Sequence, residues 1–401
     1  MKKYNRIYAM ILVILMLAGL TACSSQGTVT GDNRSWKNVW KYSTRSALSD
    51  VGYYYSVNGG IWFADLQSGT NIPLCTKAGC SHRENSCEVY IPSIFPIFFG
   101  GDSLYSIEGI NNGTTLYRRD ATGAARMKVA DLGTKYTEEE KVLTISFFGC
   151  AGDYLYYCAV VSAVVYNEEV GGFGNVDEVQ YISRVDLKTG KETYLFEDEV
   201  GAFYDDVRLL AVREDAVLFS HRNASDVDKH VENYIEILDK DTQTVKLWSD
   251  STGEVTTVLE TTWGEFAQEI CVTEGKICYS TKLKYEDGMW KYGTCTFDLD
   301  TGKKELLYEG NSTFLGGSYL LRSTDTGKII YDLAAGKELP CAVTGGNASV
   351  QITSDKGAVV YIYFQDTTPK ENRYYYVTRE ALADGLQDED LLYLYTKKYS
   401  A

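Results

Sequence analysis

The sequence predicts an all-β protein, a β-propeller of seven four-stranded blades, with six or eight as the neighbouring counts. The first observation is a turn that recurs along the chain: Asp65-Leu66-Gln67-Ser68-Gly69, Asp186-Leu187-Lys188-Thr189-Gly190, Asp298-Leu299-Asp300-Thr301-Gly302 and Asp332-Leu333-Ala334-Ala335-Gly336. Asp120-Ala121-Thr122-Gly123 and Asp239-Lys240-Asp241-Thr242-Gln243 read as worn copies of it. The second is a Gly/Asp turn followed by an aromatic strand, found seven times. The third is period: successive aromatic strands lie roughly 40 residues apart in the lean units and about 60 where loops are inserted, the repeat length of a blade.

The aromatic strands follow Gly101-Asp102, Gly152-Asp153, Glu214-Asp215, Glu274-Gly275 and Lys356-Gly357, with looser versions at 51–55 and 318–321. Apolar and aromatic residues in runs of strand length, punctuated by Gly and Asp, are hairpin signals. Each unit then reads strand, Gly/Asp turn, aromatic strand, variable loop, strand, Asp-x-x-Thr-Gly turn, strand. One short helix is expected at 378–383, capped by Thr378 and ending before Gly385. A chain with 44% hydrophobic residues, 32 Tyr and only 5 Pro is that of a folded protein. It is long for one compact domain, but repeat folds exceed the usual size, so one domain of repeated units is expected.

The recurring turn has a mechanical explanation. Asp accepts backbone hydrogen bonds from residues just ahead of it, Thr supports the same turn, and Gly takes the positive φ that reverses the chain. Calcium binding by Asp298 and Asp300, or by Asp239 and Asp241, is the chemical alternative. It would require further oxygens and a distal Glu at fixed spacing, and neither is present.

The N-terminus carries an address. Lys2, Lys3 and Arg6 precede the apolar run 7–20, and Leu20-Thr21-Ala22-Cys23 closes it. The run is too short for a comfortable spanning helix and ends in small residues, as a cleaved export signal does. This stretch resembles bacterial lipoprotein precursors. The resemblance implies a signal peptide at 1–22, a thioether-lipidated Cys23 at the new N-terminus, a polar tether over 23–34 and a propeller over 35–401. It also implies attachment to the extracytoplasmic face of the bacterial cell membrane, each buried acyl methylene contributing about 0.8 kcal/mol. An ordinary signal peptide with an incidental cysteine is the alternative. Without the three basic residues of the signal, 36 basic stand against 55 acidic residues, about −19. Such a surface repels phosphate backbones, which argues against nucleic acid as a partner and favours neutral or cationic ones.

Lys191-Glu192-Thr193-Tyr194-Leu195-Phe196 and Lys303-Lys304-Glu305-Leu306-Leu307-Tyr308 continue the Asp-x-x-Thr-Gly turns. Here the chain resembles β-propellers built from PQQ-like or YVTN-like repeats, a likeness that covers the propeller and implies fold without function. With strands named A to D outward, A–B and C–D turns share one rim, and B–C loops and D–A connections share the other. The long inserts 165–179, 222–233, 284–292 and 365–373 all fall at B–C positions. Long loops gathered on one rim of a rigid scaffold are where binding residues sit, although insertions also cost little when they have no role.

The same rim should carry the one conspicuous chemical cluster, Cys75, Cys80, His82 and Cys87, because it lies just after the outer strand of the first unit. Three sulfurs and an imidazole suit tetrahedral zinc, with Gly79 helping the loop to wrap. A disulfide between two of the three cysteines is the competing fate in an exported protein, and free thiols are the third. A closed four-ligand set would make the metal structural. Of the 10 cysteines, Cys23 apart, an odd number remains, so not all can pair. Cys271 and Cys278 flank the Glu274-Gly275 turn symmetrically and would face each other across a hairpin as a candidate disulfide. Cys150 and Cys158 flank their turn asymmetrically, and they, with Cys295 and Cys341, read as buried thiols.

Catalytic signatures are sparse. The chain has only 3 His, namely His82, His221 and His230, and no nucleophile elbow, His-Glu-x-x-His or phosphate loop. His221 and His230 flank Asp226 and Asp228, which reads as a solvated loop or a weak metal site. Gly171-Gly172-Phe173-Gly174 lacks the helix of a dinucleotide fingerprint. Together these features describe a surface-anchored propeller that binds a protein, peptide or glycan through its long-loop rim. The alternatives are a propeller hydrolase or lyase acting on an envelope or extracellular polymer near the channel, and a structural envelope protein.

Overall fold

A computed structural model describes residues 36–399 apart from 42–43, 58, 83–86, 88, 92–95, 111–112, 120–125, 137–140, 168–171, 201–205, 224–241, 263–266, 274, 287–288, 325–326, 344–346, 355, 365–366 and 368. The chain enters through two very short strands, β1 (Lys37–Asn38) and β2 (Trp40–Lys41). Seven antiparallel four-stranded blades come next, each contiguous in sequence. Blade 1 holds β3 (Ser46–Leu48), β4 (Gly52–Val57), β5 (Gly60–Asp65) and β6 (Asn71–Pro73). Blade 2 holds β7 (Ile97–Gly100), β8 (Ser103–Ile110), β9 (Gly113–Arg119) and β10 (Arg126–Leu132). Blade 3 holds β11 (Lys141–Ala151), β12 (Tyr154–Asn167), β13 (Gly172–Asp186) and β14 (Glu192–Glu199). Blade 4 holds β15 (Asp206–Arg213), β16 (Ala216–Asn223), β17 (Thr242–Ser249) and β18 (Val255–Thr262). Blade 5 holds β19 (Ala267–Thr273), β20 (Lys276–Glu286), β21 (Met289–Asp298) and β22 (Lys304–Glu309). Blade 6 holds β23 (Ser312–Gly316), β24 (Tyr319–Thr324), β25 (Gly327–Asp332) and β26 (Lys337–Cys341). Blade 7 holds β27 (Asn347–Ser354), β28 (Gly357–Phe364), β29 (Glu371–Thr378) and β30 (Leu392–Lys398), with the helix α1 (Arg379–Asp384) between its last two strands.

The first strands of successive blades touch one another in a closed circle, β3 to β7, β11, β15, β19, β23, β27 and back to β3. Seven sheets whose inner strands close a ring are a seven-bladed propeller. The core lies between the blades, where the aromatic second strands pack: Tyr54, Ile61 and Leu104 between blades 1 and 2, Tyr156, Cys158 and Phe219 between blades 3 and 4. No strand is exchanged between blades 7 and 1 among the described residues. That seam is held instead by tyrosines, with Tyr53 and Tyr55 of blade 1 packed against Tyr374, Tyr376 and Leu394 of blade 7.

The recurring turns occupy the C–D positions. Asp186 Oδ1 accepts from the backbone N–H groups of Lys188 and Thr189 at 2.9 and 2.8 Å, and Gly190 closes the turn at φ 73°. Gly190 also packs against blade 2, where an added Cβ would stand 2.3 Å from the Val129 carbonyl oxygen. Asp298 is held in the same way, by Asp300 and Thr301, so its carboxylate is occupied with the turn. The copy at Asp120 lies outside the described residues. The copy expected at 239–243 does not supply the C–D turn of blade 4: Thr242 and Gln243 open β17, and 239–241 lie outside the described residues. The C–D turn of blade 4 is Ser249-Asp250-Ser251-Thr252-Gly253, where Gly253 N–H donates to the Ser249 carbonyl at 2.8 Å and Gly253 has φ 68°. A serine at its first position hid it.

Two inserts expected as loops are strand. β12 and β13 stay paired out to Asn167 opposite Gly172, and β20 and β21 out to Glu286 opposite Met289. Pairing satisfies backbone groups that a loop would leave to water. The insert at 222–233 lies mostly outside the described residues. The helix matches its expectation, with Thr378 Oγ1 accepting from Ala381 N–H and Gly385 at the C-cap.

Residues 36–41 belong to no blade of their own. β1 pairs antiparallel with β15, Lys37 opposite Val212 and Asn38 opposite Ala211. β2 pairs antiparallel with β11, Trp40 opposite Phe148 and Lys41 opposite Phe147. β1 and β2 are thus fifth strands on the channel side of blades 4 and 3. β15 and β11 both end at A–B turns, so the segment starts at the A–B rim, where Trp36 lies 5.0 Å under the Arg213 guanidinium. It climbs the channel to the other rim, where β3 begins.

Candidate metal centre

The connection from β6 to β7 spans 74–96, a D–A position, and carries the thiol cluster to the B–C rim. It is fastened to the B–C turn of blade 1. Leu74 N–H donates to the Ile61 carbonyl at 3.0 Å, Ile91 N–H donates to the Gly59 carbonyl at 2.7 Å, and Tyr90 bridges Gly60. Gly59 has φ 87°, and a Cβ on Gly60 would stand 2.6 Å from the His82 carbonyl oxygen. This glycine pair lets the loop lie directly on the turn. Val89 and Ile91 are fully buried with Ile61 and Leu104, and Cys75 and Cys87 join the same cluster.

Cys75, Cys80, His82 and Cys87 converge as the sequence predicts, with one ligand atom from each lying within 4.8 Å of all the others. Cys87 Sγ is 3.8 Å from His82 Nδ1. Tetrahedral zinc with ordinary Zn–S and Zn–N bonds sets ligand atoms about 3.6–3.8 Å apart, so the donor set fits that metal without large rearrangement. Two features orient it. The backbone N–H of His82 donates to the Cys80 sulfur and that of Val89 to the Cys87 sulfur. His82 itself, at φ 57°, is the one non-glycine residue among those described with a positive φ. Such a conformation costs roughly 1–3 kcal/mol and persists where surroundings over-determine it; here it turns the imidazole toward the sulfurs. Its ring also meets the edge of Trp62 at 6.4 Å.

The His82 N–H lowers the Cys80 thiol below its usual range, whereas burial pushes the Cys87 thiol up to about 12. Metal binding requires the anionic form of each sulfur. A charged network that the sequence does not reveal lies alongside. Arg119, fully buried, has Nη2 at 3.3 Å from Glu108 Oε1, and Arg126 Nη2 is 2.7 Å from Glu108 Oε2. Arg119 stands opposite Leu104 across the ladder, on the face of blade 2 turned to Cys75 and Cys87. The trio's single excess positive charge would balance the −1 of a zinc bound by three thiolates and a neutral imidazole. No spacing rule in the sequence connects Arg119 to Cys87, because the link runs across two strands of another blade.

The remaining candidates separate. Cys271 and Cys278 are direct cross-strand partners, as the sequence predicts, and both are buried. Cys150 and Cys158 are not opposite: they pair with Leu155 and Phe147. His221 is buried between blades 3 and 4, its Nε2 2.8 Å from Asp198 Oδ2 and its Nδ1 3.0 Å from Lys246 Nζ. His230, Asp226 and Asp228 lie outside the described residues. On the B–C rim the β12–β13 hairpin exposes Val165, Tyr166 and Val176.

No protein-family model matches the chain, and no curated protein sequence does. Among solved structures it is similar to an oligogalacturonate lyase in complex with manganese, at 14% identity and TM-score 0.43 over 83% of this chain and 86% of that one. It is also similar to the β-propeller domain of the Trilobed protease from Pyrococcus furiosus, at 10% identity and TM-score 0.48 over 91% and 100% of the two chains. An acylaminoacyl peptidase from Pyrococcus horikoshii matches at 10% identity and TM-score 0.49 over 89% of this chain and 52% of that one. At such identities the likeness concerns the arrangement of blades and assigns this chain no activity.

Proposed function

We propose that the protein is a lipid-anchored extracytoplasmic binding propeller, of PQQ-like or YVTN-like repeats, that takes a protein, peptide or glycan partner on its B–C rim. The observation that carries this reading is the path of residues 36–41. The first described residues run up the channel from the A–B rim, pairing β1 with β15 and β2 with β11. That leaves the B–C rim, with its long β12–β13 hairpin and exposed Tyr166, as the open face for a partner. The same path disfavours the hydrolase or lyase reading, since a site at the channel would share it with the chain's own β1 and β2.

In this reading the cluster of Cys75, Cys80, His82 and Cys87 holds one structural zinc. The metal supplies a four-way crosslink that fixes the 74–96 connection on the rim; Gly60, Val89 and Ile91 seat that connection, and His82 closes it. Mass spectrometry of the mature N-terminal peptide tests the anchor: diacylglycerol on Cys23, lost in Cys23→Ser, is expected, and an unmodified N-terminus elsewhere overturns it. Photocrosslinkers placed at Tyr166 and at Asp215 in cells test which rim meets the partner. Partner adducts from Tyr166 and none from Asp215 are expected; the reverse overturns it. Elemental analysis should find about one zinc per chain, lost in Cys80→Ser with His82→Ala.

A further inference from the structure

A second feature of the B–C rim is a hollow of about 370 Å³ on blade 7, lined by Ser349, Tyr361, Tyr363, Asn372 and Tyr399. Its size is at the lower end of the roughly 300–1,000 Å³ of small-ligand sites. The last blade builds it from its first three strands and the residue just beyond its fourth. Ser349 of β27 stands opposite Tyr361, and Tyr363 of β28 stands opposite Asn372 of β29. Tyr399, next after β30, is tied across by its N–H to the Lys370 carbonyl at 2.9 Å.

Asn372 sets the chemistry. It is 7% exposed, and its Nδ2 donates to Tyr399 Oη at 2.8 Å, which fixes that phenol in the lining. The lining contains no charged side chain. The negative faces of three tyrosines disfavour an anion, and Lys397 Nζ already lies 5.5 Å from the Tyr399 ring, which disfavours a cation. Flat aromatic faces together with neutral donors and acceptors fit the C–H face and hydroxyl edge of a pyranose.

We propose that this hollow binds a neutral sugar unit of a glycan, with the ring against Tyr361, Tyr363 and Tyr399 and its hydroxyls meeting the phenol and Ser349 hydroxyls of the lining. The inference rests on the binding reading of the B–C rim and names its ligand class. The test uses the full mature protein in detergent micelles, titrated calorimetrically with cellotetraose, chitotetraose, maltotetraose and mannotetraose, and with a hyaluronan tetrasaccharide as the acidic control. At least one neutral oligosaccharide should bind, with affinity reduced tenfold or more by Tyr363→Ala and by Tyr399→Ala, while thermal midpoints show that both variants fold. Binding that survives both variants would overturn this site but leave a glycan-binding propeller. Preference for the acidic control, or no binding to any neutral probe, would overturn the ligand class; if Tyr166 still crosslinks a partner in cells, the rim reading stands without it.

Discussion

Tyr55 and Tyr395 stack face to face across the seam between the first and last blades, centroids 3.9 Å apart and rings within 6° of parallel. Tyr374 continues the stack at 4.3 Å from Tyr395, and Asn71 Nδ2 donates to Tyr55 Oη at 2.5 Å. Because each blade is contiguous, no shared strand among the described residues fastens this joint, and side-chain packing does so. Tyr395→Ala should therefore cost about 3–5 kcal/mol. Tyr395→Phe, which keeps the stack, should cost no more than about 1.5 kcal/mol. Urea midpoints of the two variants check the difference; equal losses would mean that the hydroxyl, not the stack, holds the seam.

Acid should loosen the outer hairpins. The Asp65, Asp186 and Asp298 carboxyls are held below the usual carboxylate range, chiefly by backbone N–H groups of Ser68, Thr189 and Thr301. A depressed folded value means the contribution is complete above the unfolded value near about 3.9 and is lost as pH falls through the folded value. Stability measured between pH 5 and pH 2.5 should fall along that slope. Combined Asp186→Asn and Asp298→Asn, which accept the same bonds without titrating, should flatten it. An unchanged slope would place the acid sensitivity elsewhere.

Docking of the channel strands is separable from the ring. Val39 packs with Phe147 against the core of blades 3 and 4, so Val39→Asp should release 36–41 and leave the blades intact. Amide exchange at 147–148 and 211–212 should rise at least tenfold, or about 1.4 kcal/mol. Exchange that stays at the parent rate would show the segment held by its backbone pairing alone.

The helix cap offers a smaller test. Thr378→Ala removes the acceptor for Ala381 N–H at 3.2 Å and should cost about 1 kcal/mol. Thr378→Ser should retain most of it, as thermal denaturation would show.

Features that are local and repeated were legible in the sequence. The Asp-to-Gly turns at 65, 186, 298 and 332, the seven aromatic strands, the cap at Thr378 and the convergence of Cys75, Cys80, His82 and Cys87 all rest on neighbours within a dozen or so residues. Asp239 to Gln243 matches the motif by residue type although Thr242 and Gln243 already belong to β17, while Ser249 to Gly253 keeps the turn geometry with a serine in the aspartate's place. The inserts at 165–179 and 284–292 were placed on the correct rim but read as loops, since a polar, alternating hairpin tip resembles one. What could not be read were pairings across the ring: β1 with β15, Arg119 beneath the thiol loop, Tyr55 on Tyr395. Nothing near Trp36 in sequence signals an inner strand of blade 4 as its neighbour.

The threading of the channel also bears on the order in which the molecule is built. Lys37 is among the first propeller residues made, and its partner Val212 emerges about 175 residues later, the kind of separation that slows folding. β1 and β2 have no surface to dock on until blades 3 and 4 exist, so the first of the described propeller residues to be made are among the last to settle. Refolding from denaturant should then show the blades forming first, with the change in Trp36 emission on reaching Arg213 as a late event that removal of residues 36–41 abolishes.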